Sequence, residues 1–105
     1  MKLYGLKTCD TCRKALKSIP DAELVDVRES GISEAVLTRA LADFGAALVN
    51  TRSTTWRQLD ARARELPQLQ LLQSHPTLMK RPLIERDGDL FLGWTPQTRA
   101  ALGVD

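Results

Sequence analysis

No apolar run in this 105-residue chain approaches the roughly 20 residues that a bilayer span needs. A membrane-crossing helix is therefore not expected. Cysteine is scarce: there are two, Cys9 and Cys12, and the one histidine, His75, lies far along the chain. Two thiols and one distant imidazole fall short of the roughly four ligands of a structural zinc site, so no metal is expected within a single chain. His75 precedes Pro76 in a loop signal and reads as a surface or capping residue. Charge of one sign is also lacking. Fifteen Lys and Arg stand against 13 Asp and Glu, a net charge of +2, which is far too mild for direct nucleic-acid binding but suits a small anionic ligand. Aromatics are only 5% of the chain. Trp56 and Trp94 are expected in the core or at its rim, not as a stacking platform for bases. There are no repeats, linkers or low-complexity tracts. Met1 leads straight into apparent structure with no leader, so a cytoplasmic protein is expected. In that reducing compartment a closely spaced cysteine pair is more often catalytic or metal-binding than structural.

What is present fits one folded domain. Hydrophobic residues make up 43% and charged residues 27%, an ordinary globular balance. "KLYGL" reads as a short buried strand. After Cys9 the apolar positions Cys12, Ala15, Leu16 and Ile19 recur at helical spacing, with Arg13, Lys14 and Lys17 facing water and Pro20 closing the segment. "ELVDVR" reads as a second strand, and strand, helix, strand implies a parallel crossover. "SGISEAVLTRALADFG" predicts a helix capped by Ser33 and stopped by Gly45, with Ile32 stapled onto Leu37 and a buried stripe of Val36, Ala40, Leu41 and Phe44. The stretch to Pro76 carries short helical patterns broken at Pro67 and Pro76, a helical insertion covering about 33–76. "RPLIERDGDLFLGW" predicts a hairpin with a two-residue Asp87-Gly88 turn. "TPQTRAALG" predicts a last helix, with Thr95 as cap, Pro96 at its first position and Gly103 as stop. The expected fold class is α/β, with a mixed sheet and helices on its faces.

The cysteine pair is the candidate site. With Cys9 in the first turn of the helix, its thiolate would feel the unpaired amides and positive end of the helix, which lower a thiol pKa. Lys7 and Arg13 would help and Asp10 would oppose. Cys12, three residues on and on the apolar stripe, is the sheltered sulfur. An exposed attacking thiol beside a sheltered resolving thiol suits thiol–disulfide exchange. Two plainer readings compete with it, a shared zinc site formed on dimerisation and a pair of inert core thiols. The position of the pair, directly after a strand and opening a helix, favours the redox reading.

Three blocks, "LYGLKTCDTCRKA", "NTRSTTWRQLD" and "MKRPLIERDGDLFLGW", together resemble the arsenate reductase–Spx family, most closely its YffB-like branch, over nearly the whole chain. The resemblance implies a thioredoxin-like fold of glutaredoxin type: a four-stranded mixed sheet with the helical insertion between strands two and three, the whole of residues 1–105 forming one domain. It implies that Cys9 is the nucleophile. It also implies that Arg52 and Arg81 gather around Cys9 to stabilise its thiolate and an anionic ligand, and that Pro82 is a cis-proline opening the third strand. Arsenate reductases of this type carry a third arginine after the hairpin, where this chain reads "FLGWTP". They also have a single working cysteine in the loop, whereas Cys12 resembles the redox-switch partner of Spx, a regulator that binds the RNA polymerase α subunit. The YffB-like reductases have a proposed substrate involving glutathione. The resemblance thus implies a thiol–disulfide reductase with no tightly bound cofactor and with glutathione, or another small thiol or disulfide, as substrate. The alternatives are an Spx-like sensor that binds RNA polymerase and an arsenate reductase.

Overall fold

"KLYGL" forms strand β1 (Lys2–Gly5), and the chain then turns into helix α1 (Asp10–Ser18). Of the apolar stripe expected from spacing, Cys12 and Ala15 are buried in the helix, Ile19 is buried at its C-cap and Leu16 is half-buried. The helix stops at Ile19, whose φ of −128° and ψ of 75° place it outside the helical region directly before Pro20. The structure, a computed structural model, describes residues 1–104.

Strand β2 (Glu23–Asp26) ends two residues earlier than "ELVDVR" suggests, and Val27–Ser30 coils into a single helical turn, α2. The cause is Asp26. Its Oδ1 accepts from the Arg28 and Glu29 amides at 2.9 and 3.2 Å, a side-chain cap that outcompetes strand continuation.

β3 (Leu83–Arg86) and β4 (Asp89–Leu92) form the expected hairpin, with Arg86 opposite Asp89. The turn between them is Asp87-Gly88, at φ of 51° and 88°. Positive φ at both positions matches the right-handed twist of the strands, and Asp and Gly are the residues that tolerate it. Helix α7 (Pro96–Ala101) follows, with Thr95 accepting from the Thr98 amide at 3.1 Å.

The strands order as β2-β1-β3-β4, with β1 parallel to β2 and antiparallel to β3. Register decides the two faces. Leu3 pairs with Leu24 and Ile84, and Ile84 with Phe91, so these four share one face. On it Leu3 and Ile84 pack with Cys12, Ala15 and Ile19 of α1 and with Leu102, flanked by Leu16, Leu24, Phe91 and Trp94.

By internal packing the chain divides into residues 1–30 with 81–105, described above, and residues 31–80. The second unit is helical. α3 (Glu34–Phe44) is capped by Ser33 Oγ accepting from the Val36 amide at 3.2 Å, and it ends at Gly45. Its innermost residues are Leu37 and Ala40, with Val36, Leu41 and Phe44 half-buried, so the inward face is centred on Leu37. α4 (Thr54–Gln58), α5 (Ala61–Arg64) and α6 (Gln68–Ser74) follow. Pro67 caps α6, and Pro76 opens a short 3-10 turn. One feature without a periodic signature is the antiparallel bridge between Val49 and Met79, flanked by Lys80 N–H to Leu48 O at 2.8 Å and Asn50 N–H to Leu78 O at 2.9 Å. No helix among the described residues is long and apolar enough to cross a membrane.

Ile84 is fully buried at the centre of the sheet. Ile84→Ala is expected to cost about 2–5 kcal/mol, read as a lowered urea midpoint at unchanged slope.

A candidate thiol redox site

The loop from β1 into α1 is held from several directions. The Cys9 amide donates to Leu6 O at 3.1 Å, closing a tight turn. The Lys7 amide donates to Asp26 Oδ2 at 3.0 Å, so the residue that ends β2 also anchors the cysteine loop. Arg13 Nε donates to Lys7 O at 2.9 Å. Cys9 is the N-cap of α1, one position before the first turn expected for it, with φ −87° and ψ 121°, and its carbonyl accepts from the Arg13 amide at 3.0 Å.

The two sulfurs are pushed apart in acidity. Burial alone would raise the Cys9 pKa, but the Cys12 amide, the Cys12 thiol, the Thr11 amide and the Arg81 guanidinium all favour its thiolate, and the net shift is downward. Amides at the open helix end act here as the fixed positive pole of the helix. Cys12 is fully buried and its pKa is raised to about 11, chiefly by burial and then by the neighbouring Cys9, against the pull of a backbone hydrogen bond from Leu6. Both thiols are free.

The cations divide differently from the sequence expectation. Lys7 Nζ is paired with Glu29 and Arg13 Nε with the Lys7 carbonyl, and neither is among the groups that favour the Cys9 thiolate. The guanidinium that favours the Cys9 thiolate is that of Arg81, across the sheet. The Arg81–Pro82 peptide bond is cis, and Pro82, buried at the head of β3, accepts from the Gly93 amide at 2.8 Å. The structure thus brings Cys9, Cys12, Arg81 and Pro82 into one unit.

Arg52 belongs to the second unit. Its amide donates to Asn50 Oδ1 at 3.0 Å, while Ser53 Oγ donates to Asn50 O at 2.7 Å and caps α4 by accepting from the Trp56 amide at 3.1 Å. "NTRS" is therefore a pinned turn that presents an exposed arginine. Arg52 lines a cavity of about 330 Å³ with Asn50, Thr51, Lys80, Ala47 and Val49, where two cations and an amide side chain suit an anion. His75 is the C-cap of α6. Among the described residues no three His, Cys, Asp or Glu side chains gather as a metal site would require.

Comparison with known proteins places this geometry. The ArsC family pattern matches residues 4–102. The chain belongs to the ArsC family. An uncharacterized protein of Haemophilus influenzae is 43% identical, covering 88% of this chain and 89% of that protein. The global transcriptional regulator Spx of Bacillus subtilis is 26% identical over 88% of this chain and 78% of its own. Among solved structures, a protein named YFFB superposes with a TM-score of 0.85 at 31% identity, covering 95% of this chain and 96% of that one. The fold of this ArsC-family chain is thus thioredoxin-like, an α/β fold with a four-stranded mixed sheet.

Sequence reasoning missed three residues that support the candidate site of this ArsC-family chain: Asp26, which anchors the loop; Asn50, which pins the Arg52 turn; and Gly5, against which Cys12 packs. Asn50 was visible as part of "NTR". Asp26 was hidden inside a strand-like alternation.

The Cys12 thiol gives a pH test. Its folded pKa is raised above the ordinary thiol value of about 8.5, so its contribution to stability is whole below that pH and is lost as pH rises through about 11. Cys12→Ala is expected to remove about 2–3 kcal/mol of the alkaline destabilisation seen in wild type over that window. Urea midpoints of the two proteins from pH 7 to 11 check it; parallel curves would contradict it. Cys9, shifted the other way, is expected to alkylate faster than Cys12 at neutral pH, and Arg81→Ala should move its iodoacetamide profile to higher pH.

Proposed function

We propose that the chain is a glutathione-dependent thiol–disulfide reductase with Cys9 as nucleophile. The observation that carries this reading is the opposed acidity of the two sulfurs, a half-exposed Cys9 favoured as thiolate beside a buried Cys12 held as thiol. Cys9 S⁻ attacks one sulfur of a glutathione mixed disulfide. The S–S bond breaks, the other half leaves as a thiolate that takes up a proton, and Cys9 is left in a mixed disulfide.

Two routes complete the cycle. A second glutathione thiolate attacks the mixed disulfide, regenerating the Cys9 thiolate and releasing a disulfide. Alternatively Cys12 loses its proton to solvent and attacks Cys9 Sγ; the thiol bound to Cys9 leaves as a thiolate and takes up a proton, and two glutathione thiols then reduce the Cys9–Cys12 disulfide, themselves becoming glutathione disulfide. With a pKa of about 11, Cys12 is almost wholly protonated at neutral pH, which favours the glutathione route. The balance shifts once Cys9 is in a mixed disulfide. Its charge is then gone, and with it the part of the Cys12 shift that Cys9 causes.

Arg81 and Arg52 are assigned to the anionic ligand, Arg81 beside the thiolate and Arg52 through its cationic cavity, with main-chain groups beside Pro82 pairing with an extended substrate. In this reading residues 1–105 work as one domain, with the helical segment of about 33–76 as its insert, in a cytoplasmic, thiol-rich setting. No metal or tightly bound cofactor takes part. A doubly charged arsenate would need more positive charge than Arg52 and Arg81 supply, since Leu92, Gly93 and Trp94 stand where the resemblance implies a third arginine.

The Spx relatives support a second reading, in which the Cys9–Cys12 pair is the switch of a regulator that binds the RNA polymerase α subunit. Capture of that subunit by the reduced protein, altered when the Cys9–Cys12 disulfide closes and unaltered by the same oxidant in Cys9→Ser, would favour it.

The test of the main reading compares reduction of a glutathionylated peptide with arsenate turnover, both supplied with glutathione. Peptide reduction abolished by Cys9→Ser, with arsenate turnover about tenfold to a hundredfold weaker, is expected. Robust arsenate turnover lost in Cys9→Ser would overturn it. Arg52→Ala should weaken anion protection of Cys9 with folding intact.

A further inference from the structure

Gly5 ends β1 directly beneath α1, and a side chain there has no room. A Cβ built on Gly5 would overlap Cys12 Sγ well inside contact distance, and would also crowd Cys12 Cβ at 3.3 Å and Leu3 Cδ2 at 3.2 Å. The atom it meets most closely is a sulfur on a one-torsion side chain, fixed to a nine-residue helix and fully buried. Such a side chain cannot yield by small bends. It must change rotamer, and a helix leaves it few. In its present rotamer the Cys12 sulfur lies against Gly5, and it is near enough to Cys9 for each cysteine to bear on the other's ionisation.

We propose that Gly5 is a positioning residue for the redox pair: its missing side chain is the space that holds the Cys12 sulfur facing Cys9. This rests on the reading of Cys9 and Cys12 as working partners and names what sets their approach. A methyl group at Gly5 turns Cys12 away from Cys9. Cys9 then loses the support that the Cys12 thiol gives its thiolate, and the sulfurs lose their approach for closure. Closure itself transfers two electrons and two protons from the thiols to a small-molecule disulfide such as oxidised dithiothreitol, which opens to its dithiol.

The test uses the full chain and four proteins: wild type, Gly5→Ala, Cys12→Ala and Gly5→Ala/Cys12→Ala. Two quantities are read, the pH profile of Cys9 alkylation and the equilibrium of the Cys9–Cys12 disulfide against dithiothreitol. In Gly5→Ala the Cys9 profile should move to higher pH and disulfide closure should be disfavoured by about tenfold or more. In the Cys12→Ala background the same glycine substitution should leave the Cys9 profile unmoved, because the sulfur it would meet is gone. An unchanged profile in Gly5→Ala, or equal shifts in both backgrounds, overturns the proposal. Should Gly5→Ala fail to fold, the double variant still decides: folding with a urea midpoint near that of Cys12→Ala upholds the assignment, and failure to fold there assigns Gly5 to backbone packing and overturns it. The alkylation arm is independent of turnover. A background-dependent profile shift in a protein that reduces no glutathionylated peptide would uphold Gly5 and sink the reductase reading, while turnover with no shift would do the reverse.

Discussion

The docking of α1 on β1 is the contact on which the site depends. Cys12, Ala15 and Ile19 descend onto Leu3 and Ile84, and that single packed surface fixes where the helix begins. Since Cys9 caps that helix, the same packing that stabilises the unit also aims free amides at the sulfur. A core contact and an electrostatic one are here the same event. The hydrophobic effect supplies the energy, and the helix end turns it into a lowered Cys9 pKa.

Most of the fold was legible because its signals are local. The α1 stripe, the Ser33 and Thr95 caps, the Asp87-Gly88 turn and the stop at Gly45 each follow from a few neighbouring residues and appear where expected. The errors share one cause, which is competition by a partner distant in sequence or a side chain with two roles. Asp26 reads as one polar position in an alternating strand, yet its carboxylate caps the next turn and reaches back to the Lys7 amide. The Val49–Met79 bridge joins segments thirty residues apart with no periodicity to announce it.

The site was legible in its chemistry and less so in its electrostatics. A cysteine pair after a strand and before a helix gives the order of burial that the structure shows, Cys12 inside and Cys9 partly exposed. It could not assign the cations. Lys7 and Arg13 are close in sequence, but backbone and side-chain partners engage them, and Arg81 arrives through the pairing of β3 with β1. Proximity along the chain is a poor guide to field at a sulfur when each cation has a competing acceptor. Gly5 is only one more residue of the "KLYGL" strand in the sequence, because the use of an empty position becomes visible only when something fills it.

The direction of the strands also gives the first unit two distinct ends. β1 runs toward the cysteine loop, β3 starts at Pro82 on that same side and runs away, and the Asp87-Gly88 turn closes the hairpin at the opposite edge. Four strand residues separate the two ends, roughly 13 Å at about 3.3 Å per residue. The turn is exposed. It is therefore a natural insertion point for a fluorescent or affinity handle, through which the redox state could be followed without a label touching either cysteine.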